Sequence, residues 1–272
     1  MRYILLFLPA MFSCFAQEAN FAGEIEPLDL KLFEKRIFSQ GGEDGIVEIF
    51  FSLVDPEARF CVDVGASDGY SLSNTYHLRK NKGWKALLID RNYENRKIDL
   101  HRELVTAENI NDLLAKYGVP DRFDFLSIDV DFNDFHLWRA LDNRYQPALV
   151  CIEFNNSLGP TSDRTVIYNA MGAWDGTNYF GASAAALHLL ARFKGYSLIY
   201  IEKNGINCFF ARDDLLETLK TDGIVFKDVN NLPKLFVDNR FSFPKDPMNR
   251  PFALAKELIG KESVSDRDEN SF

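Results

Sequence analysis

Residues 60–69 of the chain, FCVDVGASDG, contain the strongest fold signal in the sequence. The first five residues form an apolar run typical of a buried strand. Gly65 and Gly69 lie in the acidic turn that follows. A glycine turn at the end of a strand lets a ligand approach the backbone, because no side chain stands in the way. The segment is equally compatible with a tight strand-to-helix turn capped by an aspartate.

Asp90 is the second signal, because it ends the next apolar run, about 20 residues after Gly69. In doubly wound folds an acidic residue at this position binds the two hydroxyl groups of a ribose. A carboxylate is suited to this contact because both of its oxygens accept hydrogen bonds. The turn and Asp90 together favour a ligand that contains a nucleoside. The absence of lysine from the turn distinguishes it from a phosphate-binding P-loop.

Apolar runs alternate with helical patterns along most of the chain, which predicts an α/β fold with one Rossmann-like, doubly wound and mostly parallel sheet. The last two runs are separated by Asn204 and Gly205, so we expect a hairpin that adds an antiparallel strand. The predicted strands are residues 60–64, 85–90, 123–129, 148–153, 196–201 and 207–211, and the predicted helices lie near residues 73–80, 109–117, 135–141 and 183–193.

The glycine turn with Asp90 resembles motifs I and II of the class I S-adenosylmethionine-dependent methyltransferases. Upstream, residues 39–45 (SQGGEDG) are similar to the lead-in segment of the FkbM-type branch of that family. The resemblance covers about residues 36–215 and implies a sheet of about seven strands whose last strand is antiparallel. It continues through residues 107–111, 126–131, 152–155, 181–183, 194–196 and 207–210.

The resemblance also implies S-adenosylmethionine as the cofactor, with its ribose at Asp90. The turn residues Ala66, Asp68 and Gly69 complete the expected cofactor site. An alternative for the lead-in segment is structural, since a carboxylate at the start of a helix is stabilised by the helix dipole. The methionine moiety is expected near Gln40, Glu43, Asp63 and Gly65, and adenine near Glu108 and Asn109.

Carboxylates also cluster at the ends of the predicted fourth and fifth strands, at Asp129, Asp131 and Glu153. Three functions fit them: a general base for a substrate hydroxyl, a site for a hard divalent cation, or hydrogen bonding to a polyol. Their neighbours Asp134, His136, Asn155 and Asn156 belong to the same cluster, although Asp131 or Asp134 could instead cap the following helix. Related branches often carry glycine where Phe132 stands, so we expect a bulkier loop here.

The leading prediction is therefore an S-adenosylmethionine-dependent methyltransferase that O-methylates a hydroxyl of a sugar or natural-product-like acceptor. Asp129 or Glu153 would accept the proton of that hydroxyl, and no metal ligand is assigned. Two alternatives remain. One is an exported binding or effector protein that keeps the nucleoside pocket without methyl transfer, and the other is a divalent-metal-dependent enzyme that uses Asp129, Asp131 and Glu153.

Composition limits the partners. The chain has 272 residues, a formal net charge of −9 and a pI near 5.0, which disfavours general binding to nucleic acid or anionic lipid. We expect a small-molecule acceptor and no membrane span after signal cleavage.

The sequence also predicts how the chain is divided. A short cationic start, an apolar run and small residues predict a signal peptide over residues 1–16 and hence export, with a cytoplasmic location if this segment is not a functional signal. A linker and helix (17–35), the methyltransferase-like domain (36–215), a packed extension (216–261) and a disordered tail (262–272) follow.

Overall fold

The computed structural model describes residues 25–237 and 243–260, so the predicted signal peptide and tail lie outside the described residues. The strands are β1 (Phe60–Val64), β2 (Lys85–Asp90), β3 (Leu100–Arg102), β4 (Phe125–Ile128), β5 (Leu149–Glu153), β6 (Arg164–Val166), β7 (Tyr196–Ile201), β8 (Asn207–Arg212) and β9 (Phe252–Leu254). The helices are α1 (Glu43–Leu53), α2 (Tyr76–Lys82), α3 (Ile110–Lys116), α4 (Asp134–Ala140), α5 (Ala184–Lys194), α6 (Asp213–Thr221) and α7 (Leu232–Leu235), with 3₁₀ turns at Leu30–Phe33, Arg96–Ile98 and Asn156–Leu158.

In the described part of the chain, seven strands form one sheet in the order β3-β2-β1-β4-β5-β8-β7. In this order, the five strands from β3 to β5 run parallel to one another. Strand β8 runs antiparallel to both β5 and β7. The predicted Rossmann-like α/β sheet with an antiparallel last strand is therefore confirmed, and so is the hairpin that joins β7 to β8.

Both faces of this sheet are covered, which explains why its strands are continuous apolar runs rather than alternating ones. Along β1, Val62 and Val64 pack into one core with α3, α4 and α5. Cys61, which points to the other face, packs into a second core with α1, α2 and α6. The protein is thus a sheet between two helical layers, and the loops at the strand ends are left to form a site.

Two of the differences between the structure and the predicted elements concern β3 and α2. Strand β3 has three residues, of which only Leu100 is buried, so it leaves no apolar run in the sequence. Helix α2 starts at Tyr76, three residues later than predicted, because the side chains of Ser73 and Thr75 bond to Asp63. Residues 73–75 therefore form a loop beside the end of β1.

The segments outside the predicted domain pack onto the same sheet. Leu30 is buried in the core with α1, and Leu28 forms a bridge with Phe226. The predicted boundary at residue 215 falls inside α6, whose Leu219 is buried in that core. Farther on, β9 pairs with β6 in a second, two-stranded sheet. None of the described helices is long and apolar enough to cross a membrane.

Candidate functional site

A cavity of about 420 Å³ lies at the C-terminal ends of β1, β2 and β4. The chain runs outward from β1 to β2 and β3 and then crosses back to β4 on the other side of β1. Doubly wound folds bind ligands at such a reversal of strand order. Of the predicted site residues, the cavity wall contains Gln40, Asp63, Gly65, Ala66, Asp90 and Asp129; it does not contain Glu43, Asp68, Gly69, Glu108, Asn109 or Glu153.

The glycine turn is required by the fold itself. Gly65 has a φ of +89°, and a Cβ atom there would lie 1.7 Å from the carbonyl oxygen of Asp129. Gly65 and Ala66 also donate their backbone N–H groups to the carbonyl oxygen of Ile89. The small residues therefore let the ends of β1, β2 and β4 approach one another, and the cavity forms beside this contact.

Asp90 joins the glycine turn to the end of β2. Its Oδ2 accepts a hydrogen bond from Ser67 N at 2.9 Å, and its Oδ1 accepts from Asn92 N and Tyr93 N at 2.7 and 3.2 Å. The turn and the acid are thus in direct contact, with the cavity beside them. Three of the roughly four acceptor directions of the carboxylate are used by the backbone, which leaves about one for a ligand.

Asp63 lies at the floor of the cavity and is almost fully buried. Burial raises the pKa of its carboxyl, and hydrogen bonds from Thr75 and Ser73 oppose that rise. The hydroxyl of Thr75 donates to Asp63 Oδ2 at 2.7 Å and that of Ser73 donates at 3.2 Å. Neighbouring Asn74 lines the cavity, and its buried Oδ1 has no partner among the described residues.

The lead-in segment is organised by a buried aspartate. Asp44 Oδ2 accepts hydrogen bonds from the backbone of residues 37–39 and from the hydroxyl of Ser39, all at 2.7–2.8 Å. Glu43 is fully buried and accepts from Gly41 N and from the side-chain amide of Asn207. Within this segment it is Gln40 that reaches the cavity, and Glu43 fixes the loop that presents it.

Two residues of the predicted cofactor turn instead have structural contacts. Asp68 accepts from the backbone of Ser71 and Tyr70, and these bonds lower the pKa of its carboxyl. Gly69 has a φ of +77°, and a Cβ atom there would lie 2.8 Å from the side chain of Ile98. The second half of the turn therefore packs against the β2–β3 connection, away from the cavity wall.

The residues predicted to contact adenine are also turned away. Asn109 bonds to Thr106 N and to the carbonyl of Leu104, and thereby closes the turn before α3. Glu108 is exposed and accepts a hydrogen bond from the hydroxyl of Tyr168. The wall on this side is formed by Glu103, Leu104 and Val105, which directly follow β3.

Carboxylates converge at the other end of the cavity. One oxygen from each of Asp129, Asp131 and Glu153 lies within 4.8 Å of the others. Asp131 has a φ of +61°, a left-handed conformation that an aspartate tolerates better than most residues. Asp134 starts α4 and accepts a hydrogen bond from Val130 N at 2.8 Å, so it fixes the loop that carries Asp131. Asp129, Asp131 and Glu153 together form what we call the acidic cluster.

The pKa values of these carboxyls are all raised. Burial is the largest cause for each. Repulsion from neighbouring carboxylates adds to it for Asp129 and Glu153, and repulsion from Asp90 adds to it for Asp131. The pKa values of Asp129 and Glu153 lie well above the usual range, and burial raises that of Asp134 to about 7. A raised pKa makes an ionised carboxylate a stronger base, as general-base catalysis requires.

The remaining predicted members of this group have structural contacts. The Nε2 of His136 donates to the carbonyl of Val166, and burial lowers the pKa of its imidazole to about 4. Asn155 donates its amide to the carbonyls of Asn178 and Phe180, and Asn156 donates to those of Gly205 and Val237. These three side chains hold loops around the site together.

A glycine in a distant loop accommodates the bulky Phe132. A Cβ atom on Gly172 would lie 2.4 Å from the ring of Phe132, and Gly172 itself lines the cavity with Ala170. The ring also packs edge-on against Tyr179. The sequence signal for this contact is weak, because Gly172 lies in a loop with no regular pattern.

Charge distinguishes this cavity from a phosphate site. Among the residues that the structure describes, one cationic side chain lines it, that of Arg91, whereas five carboxyl side chains do: Asp63, Asp90, Glu103, Asp129 and Asp131. A pyrophosphate would meet repulsion here, and a cationic ligand would be favoured.

No family model matches this chain, and no curated protein matches it either. The resemblance to the FkbM-type methyltransferases therefore rests on the motifs given above.

Proposed function

We propose that this cavity binds S-adenosylmethionine and that the protein transfers its methyl group to a hydroxyl of a small acceptor, such as a sugar or natural-product-like molecule. The observation that carries the proposal is the charge of the wall. Among the nucleoside-containing ligands of doubly wound folds, S-adenosylmethionine bears a sulfonium and an ammonium, whereas dinucleotides bear a pyrophosphate. Five carboxyls facing one arginine favour the cationic ligand.

The individual contacts are consistent with this ligand. The remaining acceptor direction of Asp90 suits a ribose hydroxyl, and the side chains of Leu104 and Val105 offer an apolar surface for adenine. Buried acceptors without partners, Asn74 Oδ1 and Asn133 Oδ1, lie in wall residues and suit donors such as the ammonium group. A volume of about 420 Å³ is within the range of small-molecule sites.

The acidic cluster supplies the acceptor end of the proposed reaction. When bound, S-adenosylmethionine provides the methyl group: a C–O bond forms while the C–S bond breaks, and the bonding electrons stay on sulfur. The side chains mainly position the reactants, which is the larger part of catalysis for such a displacement. Asp129 or Glu153, when ionised, would accept the proton that the hydroxyl loses, and its raised pKa makes the carboxylate a stronger base than usual.

A binding titration tests the cofactor. Calorimetry should show saturable binding of S-adenosylmethionine and S-adenosylhomocysteine and no binding of NAD⁺. Leu104→Asp places a charge in the apolar wall and should weaken binding by at least about tenfold. The matched control is Glu108→Ala, a predicted contact that lies outside the cavity, which should leave the affinity unchanged. Absence of binding at millimolar cofactor, or a loss in Glu108→Ala alone, would contradict the proposal.

Turnover separates an enzyme from the binding-protein alternative. Release of S-adenosylhomocysteine in the presence of hydroxylated sugars would support transfer, and Glu153→Gln should reduce it while the cofactor still binds. Binding with no turnover across a broad acceptor panel would favour a binding or effector protein. We also propose export of the chain, which the mass of the mature N-terminus would test by showing whether residues 1–16 have been removed.

A further inference from the structure

The acidic cluster has the spacing of a cation site. Its three oxygens lie within 4.8 Å of one another and come from the ends of two neighbouring strands and the loop after β4. Oxygens bind Mg²⁺ at about 2.0–2.1 Å and Ca²⁺ at about 2.3–2.6 Å, so two ligands of one ion lie at most about 4–5 Å apart. The three carboxylates can therefore contact one ion with little or no movement.

Unpartnered buried oxygens provide a second and independent observation. Glu153 Oε2 is inaccessible to solvent and has no hydrogen-bond partner among the described residues. The same holds for Oδ2 of Asp134, a fully buried residue whose charge acts on both Asp129 and Glu153. Buried carboxylate oxygens are costly without a donor or a cation, so each such atom indicates a missing partner.

The charges nearby do not supply that partner. The charges that most affect Asp129, Asp131 and Glu153 belong to other carboxylates, namely Asp63, Asp90, Asp134, Glu43 and the members of the cluster themselves. Repulsion between buried like charges is relieved either by protonation or by a bound cation. The open side of the cluster faces the cavity, since Asp129 and Asp131 line its wall, and an ion can enter from there.

We infer that Asp129, Asp131 and Glu153 bind one hard divalent cation, of the class of Mg²⁺, Mn²⁺ or Ca²⁺, at the acceptor end of the cavity. Binding of the ion does not depend on the proposed function, whereas its role beside the acceptor rests on it. There the carboxylates hold the ion rather than a proton. The ion would lower the pKa of a coordinated acceptor hydroxyl, whose proton would then pass to water in the cavity instead of to Asp129 or Glu153.

A metal titration without cofactor tests the site. The full chain is stripped with EDTA and titrated with Mn²⁺, and the free ion is followed by its electron paramagnetic resonance signal. We expect one saturable site per chain, with competition by Mg²⁺ and Ca²⁺. Glu153→Gln and Asp129→Asn should each weaken binding by at least tenfold. Glu217→Gln, which removes an exposed carboxylate on α6, serves as the control and should bind as the unmodified chain does.

Asp131→Gly keeps the test decisive if the buried variants do not fold. Asp131 is exposed and has a positive φ, so glycine fits its backbone and only the carboxylate is lost. Weaker binding in this variant, with an unchanged circular dichroism spectrum, would support the site. Absence of a saturable Mn²⁺ site in the unmodified chain, or an affinity in all three cluster variants equal to that of the unmodified chain, would overturn the inference. Metal binding without cofactor binding, or the reverse, would show which of the two proposals fails.

Discussion

Carboxylate side chains have different surroundings at the two ends of the cavity. Around the glycine turn and the lead-in segment, Asp44 and Asp90 accept several hydrogen bonds each, mostly from the backbone, although the Oδ1 of Asp44 has no partner among the described residues. Glu153 of the acidic cluster and the neighbouring Asp134 each keep a buried oxygen without a partner too, but the charges that most affect them belong to other carboxylates. A carboxylate that accepts several N–H groups holds the chain in place, whereas one that lies among other carboxylates is available for a proton, a cation or a substrate.

The largest change in stability is expected at Asp44, whose Oδ2 accepts four hydrogen bonds. Asp44→Ala leaves three backbone N–H groups, one of them buried, and the Ser39 hydroxyl without their acceptor. We expect the free energy of unfolding to fall by about 3–5 kcal/mol in urea denaturation. Asp44→Asn retains one acceptor oxygen and should cost clearly less. A loss below about 1 kcal/mol in the alanine variant would contradict the structural role of Asp44 in the lead-in segment.

Replacement of Asp134 should raise the free energy of unfolding instead of lowering it. Its pKa is raised to about 7 in the folded protein from 3.8, so it is a destabilising charge once the pH exceeds the folded value. The stability that it contributes is present below pH 3.8 and is lost as the pH rises to about 7. Asp134→Asn should therefore raise the free energy of unfolding by about 2–4 kcal/mol at pH 8.

The pH profile provides the control for that variant. Below pH 4 the two chains should differ little, because the carboxyl is then protonated in both the folded and the unfolded state. Denaturation should be followed in EDTA, so that a bound cation does not neutralise the charge. If Asp134→Asn instead destabilises the protein at pH 8, Asp134 has a structural role like that of Asp44.

The smallest effect is expected at Asp90. In Asp90→Asn the amide group cannot accept from every backbone N–H that now faces the carboxylate. The expected loss is about 1–2 kcal/mol in thermal or urea unfolding. Asp99→Asn is the matched control: this exposed aspartate has a positive φ that asparagine also adopts, and the change should stay within about 0.5 kcal/mol. Equal losses in both variants would contradict a bridging role for Asp90.

The sequence predicted the sheet because continuous apolar runs signal strands buried on both faces. It also placed the glycine turn and Asp90 side by side, since both follow from the order of the strands. Strand β3 was harder to predict, because three residues with one buried side chain produce no periodic signal.

The individual side chains of the site were less predictable. A motif gives the position of a residue along the chain, and its direction depends on local hydrogen bonds. Asn109 closes a turn with Leu104, so it is Leu104 that lies in the cavity wall. Likewise, Ala170 and Gly172 reach the site from a loop far along the chain, and neither carries a local signal.

The pairing of β6 with β9 has a consequence for how this protein can change. The loop that contributes Ala170 and Gly172 starts just after β6, and the Tyr179 hydroxyl ties its far side to the carbonyl of Pro251. The selectivity of the cavity is thereby linked to the last stretch of the described chain. Evolution or engineering that reshapes one of these segments has to adjust the other with it. A version trimmed at residue 215 would keep the strands of the main sheet but lose Leu219 from one core and the support of one side of the cavity.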